Sequence, residues 1–382
     1  MAHYSPEESD LFYRILSSID YWSNLSFFNA KNKLFSVNRN SEREAILMDE
    51  NTAPSVTVII PVLNGAQTIE PLLESLQKQD YDKNKIEVIV VDGNSTDKTR
   101  DIVENFPVKL VVESRDGLNL ARNIGIKSSN GEIIAFTDSD CIVPRNWVTK
   151  IVENFKDPKV SCVGGSTKAL NSDFVSQYAD NSIVRLMPLF TKREELNQVK
   201  PFFRHPAGCN MAFRRKAAEE VGYFDENIQY GFDEVEFADR ICKAGYKMVL
   251  DPEVSVWHKH RSTLADFFRQ NFQYGKGSGL VLRKNKLNDA VSKWSFLGVV
   301  GFLSWLIIIT SLSFLALTST SSLFLWLLFG FTGFPIIIVA SVYVYRALHN
   351  RKFERVVTYP FIDFFRTLSF CSGQLYELIK RA

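Results

Sequence analysis

No G-x-G-x-x-G turn follows the first apolar strand of this sequence; Asn64-Gly65-Ala66 stands there instead. That disfavours a nicotinamide or flavin cofactor. A Walker A sequence is also missing, which argues against phosphoryl transfer on a P-loop. Cysteine is scarce: five residues (Cys141, Cys162, Cys209, Cys242, Cys371) with no C-x-x-C or metal-knuckle spacing. They are expected to be reduced, mostly buried thiols of a cytoplasm-facing protein. A basic excess is lacking, since the net charge is +2 over 382 residues, and a nucleic-acid partner is not expected. No secretory leader is visible, because the first apolar stretch is broken by charge and follows no basic region.

What is present is a chain long enough for two or three domains, 46% hydrophobic and 13% aromatic, with that content unevenly spread. Residues 1–53 form a mixed segment in which Leu11, Phe12, Ile15, Leu16 and Ile19 recur at helical spacing. Such a stripe packs on a neighbouring domain or lies on a membrane surface. From residue 54 the pattern becomes strand, helix, strand. Val56–Val62 is a continuous apolar run, Ile69, Leu72, Leu73 and Leu76 mark a helix, and Ile86–Val91 is a second strand. A third strand lies around Leu110–Val112, a helix over Leu118–Lys127, and a fourth strand over Ile133–Phe136. This alternation predicts an α/β domain over 54–290 with a doubly wound, mostly parallel sheet.

Two of those strands end in acid. Asp92 closes the second, where a carboxylate can accept from a ribose hydroxyl or a base N–H. Asp138-Ser139-Asp140 closes the fourth, and paired carboxylates at a strand end suit a hard divalent cation with substrate phosphates. The alternative is that Asp138 caps a turn and Asp140 a helix near Pro144.

Four segments in register resemble the family 2 glycosyltransferases, inverting, nucleotide-sugar-dependent enzymes of A-type fold. They are Val58-Ile59-Ile60-Pro61-Val62-Leu63-Asn64, Val90 to Asp97, Ala121-Arg122-Asn123-Ile124-Gly125 and Asp138-Ser139-Asp140. The match runs from about Ser55 to about His260. The resemblance implies that Pro61 and Asn64 lie under the nucleotide and that Asp92, with Ser95 in the same motif, binds the base or ribose. It also implies that Asp138 and Asp140 serve nucleotide and metal, Mg²⁺ or Mn²⁺. Arg122 stands where the family has a structural or phosphate-facing arginine, the alternative being a helix-surface salt bridge. In His205 to Phe213, which is similar to the family's acceptor-side element, Gly208 would let backbone approach the sugar and Asn210 would hydrogen-bond it. His258 matches a position where relatives place a histidine near diphosphate and metal, against a purely structural role.

The family usually shows Glu-Asp where this chain has Asp233-Glu234, so either acid is a candidate general base. If one helix holds both, the apolar face of Val235, Phe237, Ala238 and Ile241 lies closer to Glu234, turning it toward the packed interior. Asp233 is alternatively the helix cap. The family's base is the second acid of its pair, aligned with Glu234.

Trp294–Leu317 and Leu323–Tyr345 carry no charge, and each is long enough to cross a bilayer core of about 30 Å. Basic flanks, Lys284, Lys286 and Lys293 before and Arg346, Arg351, Lys352 and Arg355 after, predict a hairpin with both ends cytoplasmic. The membrane domain is thus expected over 291–382, with an amphipathic helix at about 360–380 lying at the interface. The expected reaction moves a sugar from a nucleotide-diphosphate sugar to a lipid-linked or polyprenyl acceptor at the cytoplasmic face of the cell membrane. The alternatives are a polyprenyl-phosphate sugar synthase and a membrane-tethered nucleotide-sugar-binding protein without turnover. Two spans and no clear Gln-x-x-Arg-Trp motif argue against a processive exporting synthase.

Overall fold

The computed structural model describes residues 53–183, 185, 187–200, 204–229, 231–350 and 354–380. The apolar stripe expected over Leu11–Ile19 lies outside them. The strands are β1 (Val56–Val62), β2 (Ile86–Asp92), β3 (Lys109–Val112), β4 (Ile133–Phe136), β5 (Cys141–Ile142), β6 (Val160–Ala169), β7 (Glu194–Leu196), β8 (Met211–Arg214) and β9 (Lys247–His258). Among the described residues they make one sheet in the order β3-β2-β1-β4-β8-β6-β9-β5, with β7 on β9.

The first four strands pair in parallel, as the strand–helix alternation predicts. Beyond β4 the expectation of a mostly parallel sheet is corrected. β8 runs antiparallel to both β4 and β6, β5 and β7 run antiparallel to β9, and only β6 and β9 add a parallel pair. The sheet is mixed because β8 follows a long excursion that delivers it to β4 from the opposite end.

Helices cover both faces, so β1 is buried along its whole length, as a central parallel strand must be. On one face Val56, Val58, Ile60 and Val62 pack with α1 (Ile69–Gln77) and α4 (Trp147–Asn154). On the other, Ile59, Ile89 and Val91 pack with α3 (Leu118–Lys127) and α7 (Asp233–Lys243). The remaining helices of this domain are α2 (Thr99–Val103), α5 (Phe174–Asn181) and α6 (Arg215–Val221).

Four long helices follow: α8 (Leu264–Asn285), α9 (Ala290–Thr318), α10 (Leu323–Asn350) and α11 (Glu354–Ile379). Among the described residues one stretch, Val291–Thr318, is long and apolar enough to cross a membrane as a single straight helix. The expected second span is bent by 43° between Leu323–Phe334 and Ile336–Leu348, and counts as a span only if both halves are taken together. The sequence places Pro335 at the break, and a proline removes an interior helix hydrogen bond.

The C-terminal helix begins at Glu354, buries Asp363, Arg366, Gln374 and Glu377, and leaves Phe361, Phe365 and Ile379 exposed, so its polar side is turned inward and an apolar side outward. Its partner is α8. Methyl groups at Gly275 or Gly373 would collide with the Phe370 and Phe272 carbonyl oxygens, so the two backbones touch. The Asp363 carboxylate accepts from the hydroxyls of Tyr178 on α5 and Tyr343 on α10, both at 2.6 Å. One side chain thereby ties the α/β domain to α10 and α11.

Candidate active site

Parallel pairing brings the carboxyl ends of β2, β1 and β4 side by side, and the loops that leave them are stitched together. The Asn64 backbone N–H donates to Ser95 Oγ at 2.8 Å, and Asn64 Oδ1 accepts from the Thr96 N–H at 2.9 Å. Asn64 holds φ 54°, a left-handed turn that asparagine tolerates. Asp92 is fully buried at the end of β2. Its Oδ1 accepts from the Ser95 N–H at 2.8 Å, while Oδ2 has no partner among the described residues. Pro61 lines a small cavity of about 210 Å³ beside these loops, with Gly93 and Arg115 on its wall. Asn64 and Ser95 thus brace the loops, and the Asp92 oxygen is the acceptor they leave available.

Past β4, Asp138 borders a polar cavity of about 570 Å³ together with Arg122, Asp233, Glu234, Arg261 and Arg269. Burial pushes the Asp138 carboxyl up to about 6, with Arg122 opposing the rise and Asp140 adding to it. Asp140, Cys141 and His258 offer ligand atoms that all lie within 4.8 Å of one another. Pairing of β5 with β9 sets Cys141 opposite His258, and His258 Nε2 stands 3.4 Å from Asp140 Oδ1. That oxygen is buried without a hydrogen-bond partner among the described residues, an arrangement that needs an occupant. One carboxylate and one imidazole fit Mn²⁺ or Mg²⁺. The Cys141 sulfur is a soft donor and a poor match for these hard ions.

His260 and Asp180 complete this corner, and the sequence reading passed over both. His258 Nδ1 and His260 Nδ1 are 3.0 Å apart, and His260 Nε2 is 3.1 Å from Asp180 Oδ1. If His260 donates to Asp180, its Nδ1 must accept from His258, and the lone pair of His258 Nε2 is aimed at Asp140. Support of this kind is worth about 10- to 100-fold in metal affinity. His260→Ala is therefore expected to weaken Mn²⁺ binding by about that factor, measured by titration in the presence of nucleoside diphosphate, and Asp140→Asn to abolish it.

Asn210 departs from expectation. Its Oδ1 accepts from Trp147 Nε1 at 3.0 Å, and its Nδ2 donates to the Ser166 and Val254 carbonyls at 2.9 and 3.0 Å. With both amide hydrogens and its oxygen engaged and the residue buried, it joins β8 to β6 and β9, a structural role the sequence did not suggest. Gly208 does border the polar cavity, but a methyl group there would collide with the Arg122 guanidinium. Its smallness serves Arg122 as well as any ligand.

Arg122 is no surface salt bridge and stands on the wall of the polar cavity. It is buried over the rings of Phe136 and Phe224, at 5.7 and 5.3 Å, and pairs with Asp233. α7 opens at Asp233 behind Phe232, whose φ of 66° puts a large side chain in the left-handed region. Such strain is typical of functional sites. The buried acid is Asp233, contrary to the helical-face expectation, because Arg122 draws it inward. Both acids line the polar cavity, and Glu234 also lines a second, largely apolar one of about 240 Å³. Burial, then the Asp233 charge, pushes its carboxyl well above the usual range, with Arg122 opposing.

Residues 57–222 match the family described as Glycosyl transferase family 2. Glycosyltransferase AglE of Haloferax volcanii is 29% identical over 261 residues, 65% of this chain and 82% of the relative. The Methanococcus voltae protein named dolichyl N-acetyl-alpha-D-glucosaminyl phosphate 3-beta-D-2,3-diacetamido-2,3-dideoxy-beta-D-glucuronosyltransferase is 28% identical over 271 residues, 67% of this chain and 82% of its own. A solved structure, the mannosyltransferase PcManGT from Pyrobaculum calidifontis in complex with GDP-Man and Mn²⁺, matches with a TM-score of 0.63 at 19% identity. That match covers 98% of this chain and 100% of the other, a likeness of fold. Domain match and relatives agree that residues 57–222 carry a Glycosyl transferase family 2 domain, on a chain similar to glycosyltransferases and with a fold to match.

Proposed function

We propose that the enzyme transfers one sugar, with inversion, from a nucleotide-diphosphate sugar to a hydroxyl of a lipid-linked acceptor at the cytoplasmic face of the membrane. The carrying observation is that Glu234 stands in the wall shared by a polar and an apolar cavity. In this reading the donor lies in the polar cavity, its nucleoside on Asp92. A divalent ion held by Asp140 and His258, with Asp138 beside them, would neutralise charge on the departing diphosphate. Arg261 and Arg269 line the same cavity and supply further positive charge.

Glu234 takes the acceptor hydroxyl proton. The oxygen attacks the anomeric carbon from the face opposite the leaving group, and the bond to diphosphate breaks with its electron pair. A carboxylate of raised pKa is matched to proton removal near neutral pH. This favours a hydroxyl acceptor over the polyprenyl-phosphate synthase reading, in which an already ionised phosphate oxygen would attack without a base. The Methanococcus voltae relative, whose name specifies a dolichyl sugar phosphate, supports the lipid-linked class. Nucleotide sugars screened by thermal shift with Mn²⁺, followed by transfer of the labelled sugar to lipid-linked and lipid-free glycans, test this reading. Transfer confined to lipid-free glycans rejects it.

The proposed topology has two spans, the second bent, with catalytic domain and C-terminus inside. Ser321→Cys is then expected to react with a membrane-impermeant thiol reagent added outside intact cells, and Lys286→Cys not. The native thiols are buried and contribute little background. The opposite labelling pattern would invert the orientation.

A further inference from the structure

The apolar cavity beside Glu234 is closed by the C-terminal helix. Arg366, Thr367 and Phe370 of α11 face Arg185, Phe232 and Val235 across it. We propose that this cavity seats the phosphate and first carbons of the lipid acceptor, and that Arg366 holds the phosphate. The inference rests on the lipid-linked acceptor proposed above and adds the residues that recognise the lipid.

Three features carry it. The first is chemistry. The lining is mostly apolar but includes two guanidiniums beside the Glu234 carboxylate, and burial lowers the His205 imidazole to about 4, so it is neutral. Apolar walls with fixed positive charge suit an anionic amphiphile, and a guanidinium matches phosphate geometry with paired N–H donors. The second is size. About 240 Å³ is below the roughly 300–1,000 Å³ of pockets that enclose a drug-sized ligand. The head and the start of a chain fit; the remainder must lie outside.

The third is position. Phe364, on the same helix as Arg366, meets Trp305 of α9 with ring centres 5.9 Å apart. α11 therefore bridges the cavity and the long apolar helix, and a chain leaving the cavity has an apolar route. Arg366 is pre-oriented as well, 3.6 Å from the Asp363 carboxylate that Tyr178 and Tyr343 already hold.

The test compares Arg366→Gln, Arg366→Lys and Phe370→Trp in the full chain, using a lipid-phosphate-linked glycan and the same glycan without lipid phosphate. Donor binding is followed in parallel by thermal shift. Arg366→Gln is expected to raise KM for the lipid acceptor about 10- to 100-fold, the scale of a lost charge-assisted contact. Donor binding and kcat should be retained, and Arg366→Lys should recover part of the loss. Phe370→Trp, which fills the cavity without changing charge, is expected to impair the lipid acceptor selectively. Unchanged KM in Arg366→Gln and Phe370→Trp, with wild type active on the lipid acceptor, overturns the inference. So does an equal loss on the phosphate-free glycan, which marks Arg366 as structural only. Wild-type activity confined to the phosphate-free glycan removes the lipid-linked reading itself, an outcome distinct from either.

Discussion

Glu234→Gln is expected to lower turnover by about 10² to 10⁴ while donor binding persists, the range associated with removal of a general base. The amide keeps the side chain's size and its place between the two cavities, so donor contacts are preserved and only proton acceptance is lost. The pH dependence should carry the same signature. Burial and the Asp233 charge hold the Glu234 carboxyl well above its ordinary range, against the pull of Arg122. A base must be ionised, so activity should rise with pH through that elevated value, and the acid limb should vanish in Glu234→Gln. Tyr274 borders both cavities, but burial pushes its phenol upward, and it stays protonated. If Asp233→Asn causes the large loss and Glu234→Gln is nearly silent, the two acids exchange roles.

Arg122→Met should destabilise the folded enzyme by about 3–5 kcal/mol, the usual cost of leaving one partner of a buried ion pair alone. The partner is Asp233, 3% exposed, and the guanidinium lies over the rings of Phe136 and Phe224, so little water reaches the pair except from the polar cavity. Methionine retains most of the stem packing, which isolates the charge effect. Pairing the change with Asp233→Leu should recover much of the stability, because an apolar pair costs no desolvation of charge. Chemical denaturation of the four forms decides this. A loss below about 1 kcal/mol for Arg122→Met would place the pair among solvent-screened surface bridges.

Much of the α/β domain was legible because its signals are local. The apolar run of Val56–Val62, the helical spacing of Ile69 to Leu76 and the acids ending β2 and β4 are properties of a few adjacent residues. What escaped depends on distant partners. Asn210 reads as a sugar ligand in its motif, yet its hydrogen bonds go to Trp147, Ser166 and Val254, between 44 and 63 positions away. Arg122 leaves a structural, a phosphate-facing and a surface role open until Phe224 and the Asp233 of α7 are set against it. The His258–His260–Asp180 relay left one local signal, a His-x-His at a strand end. Asp180 could not be joined to it without the fold. In the membrane region, composition marked two apolar runs but not the bend within the second, and amphipathicity alone could not show that α11 has α8 as its partner.

The glycine contacts between α8 and α11 have a mechanical consequence. Backbones packed with only hydrogen between them cannot slide or part without losing contact along the whole seam. Gly275, Gly279 and Gly373 make that seam, and it stands directly behind Phe370. The acceptor cavity therefore has one side of fixed calibre. The opposite rim, where Gly231 and the left-handed Phe232 lead into α7, has no such seam. If that cavity takes the lipid acceptor as proposed, a wall of fixed width would select by the girth of the chain next to the head, and excess length beyond the cavity would go unmeasured.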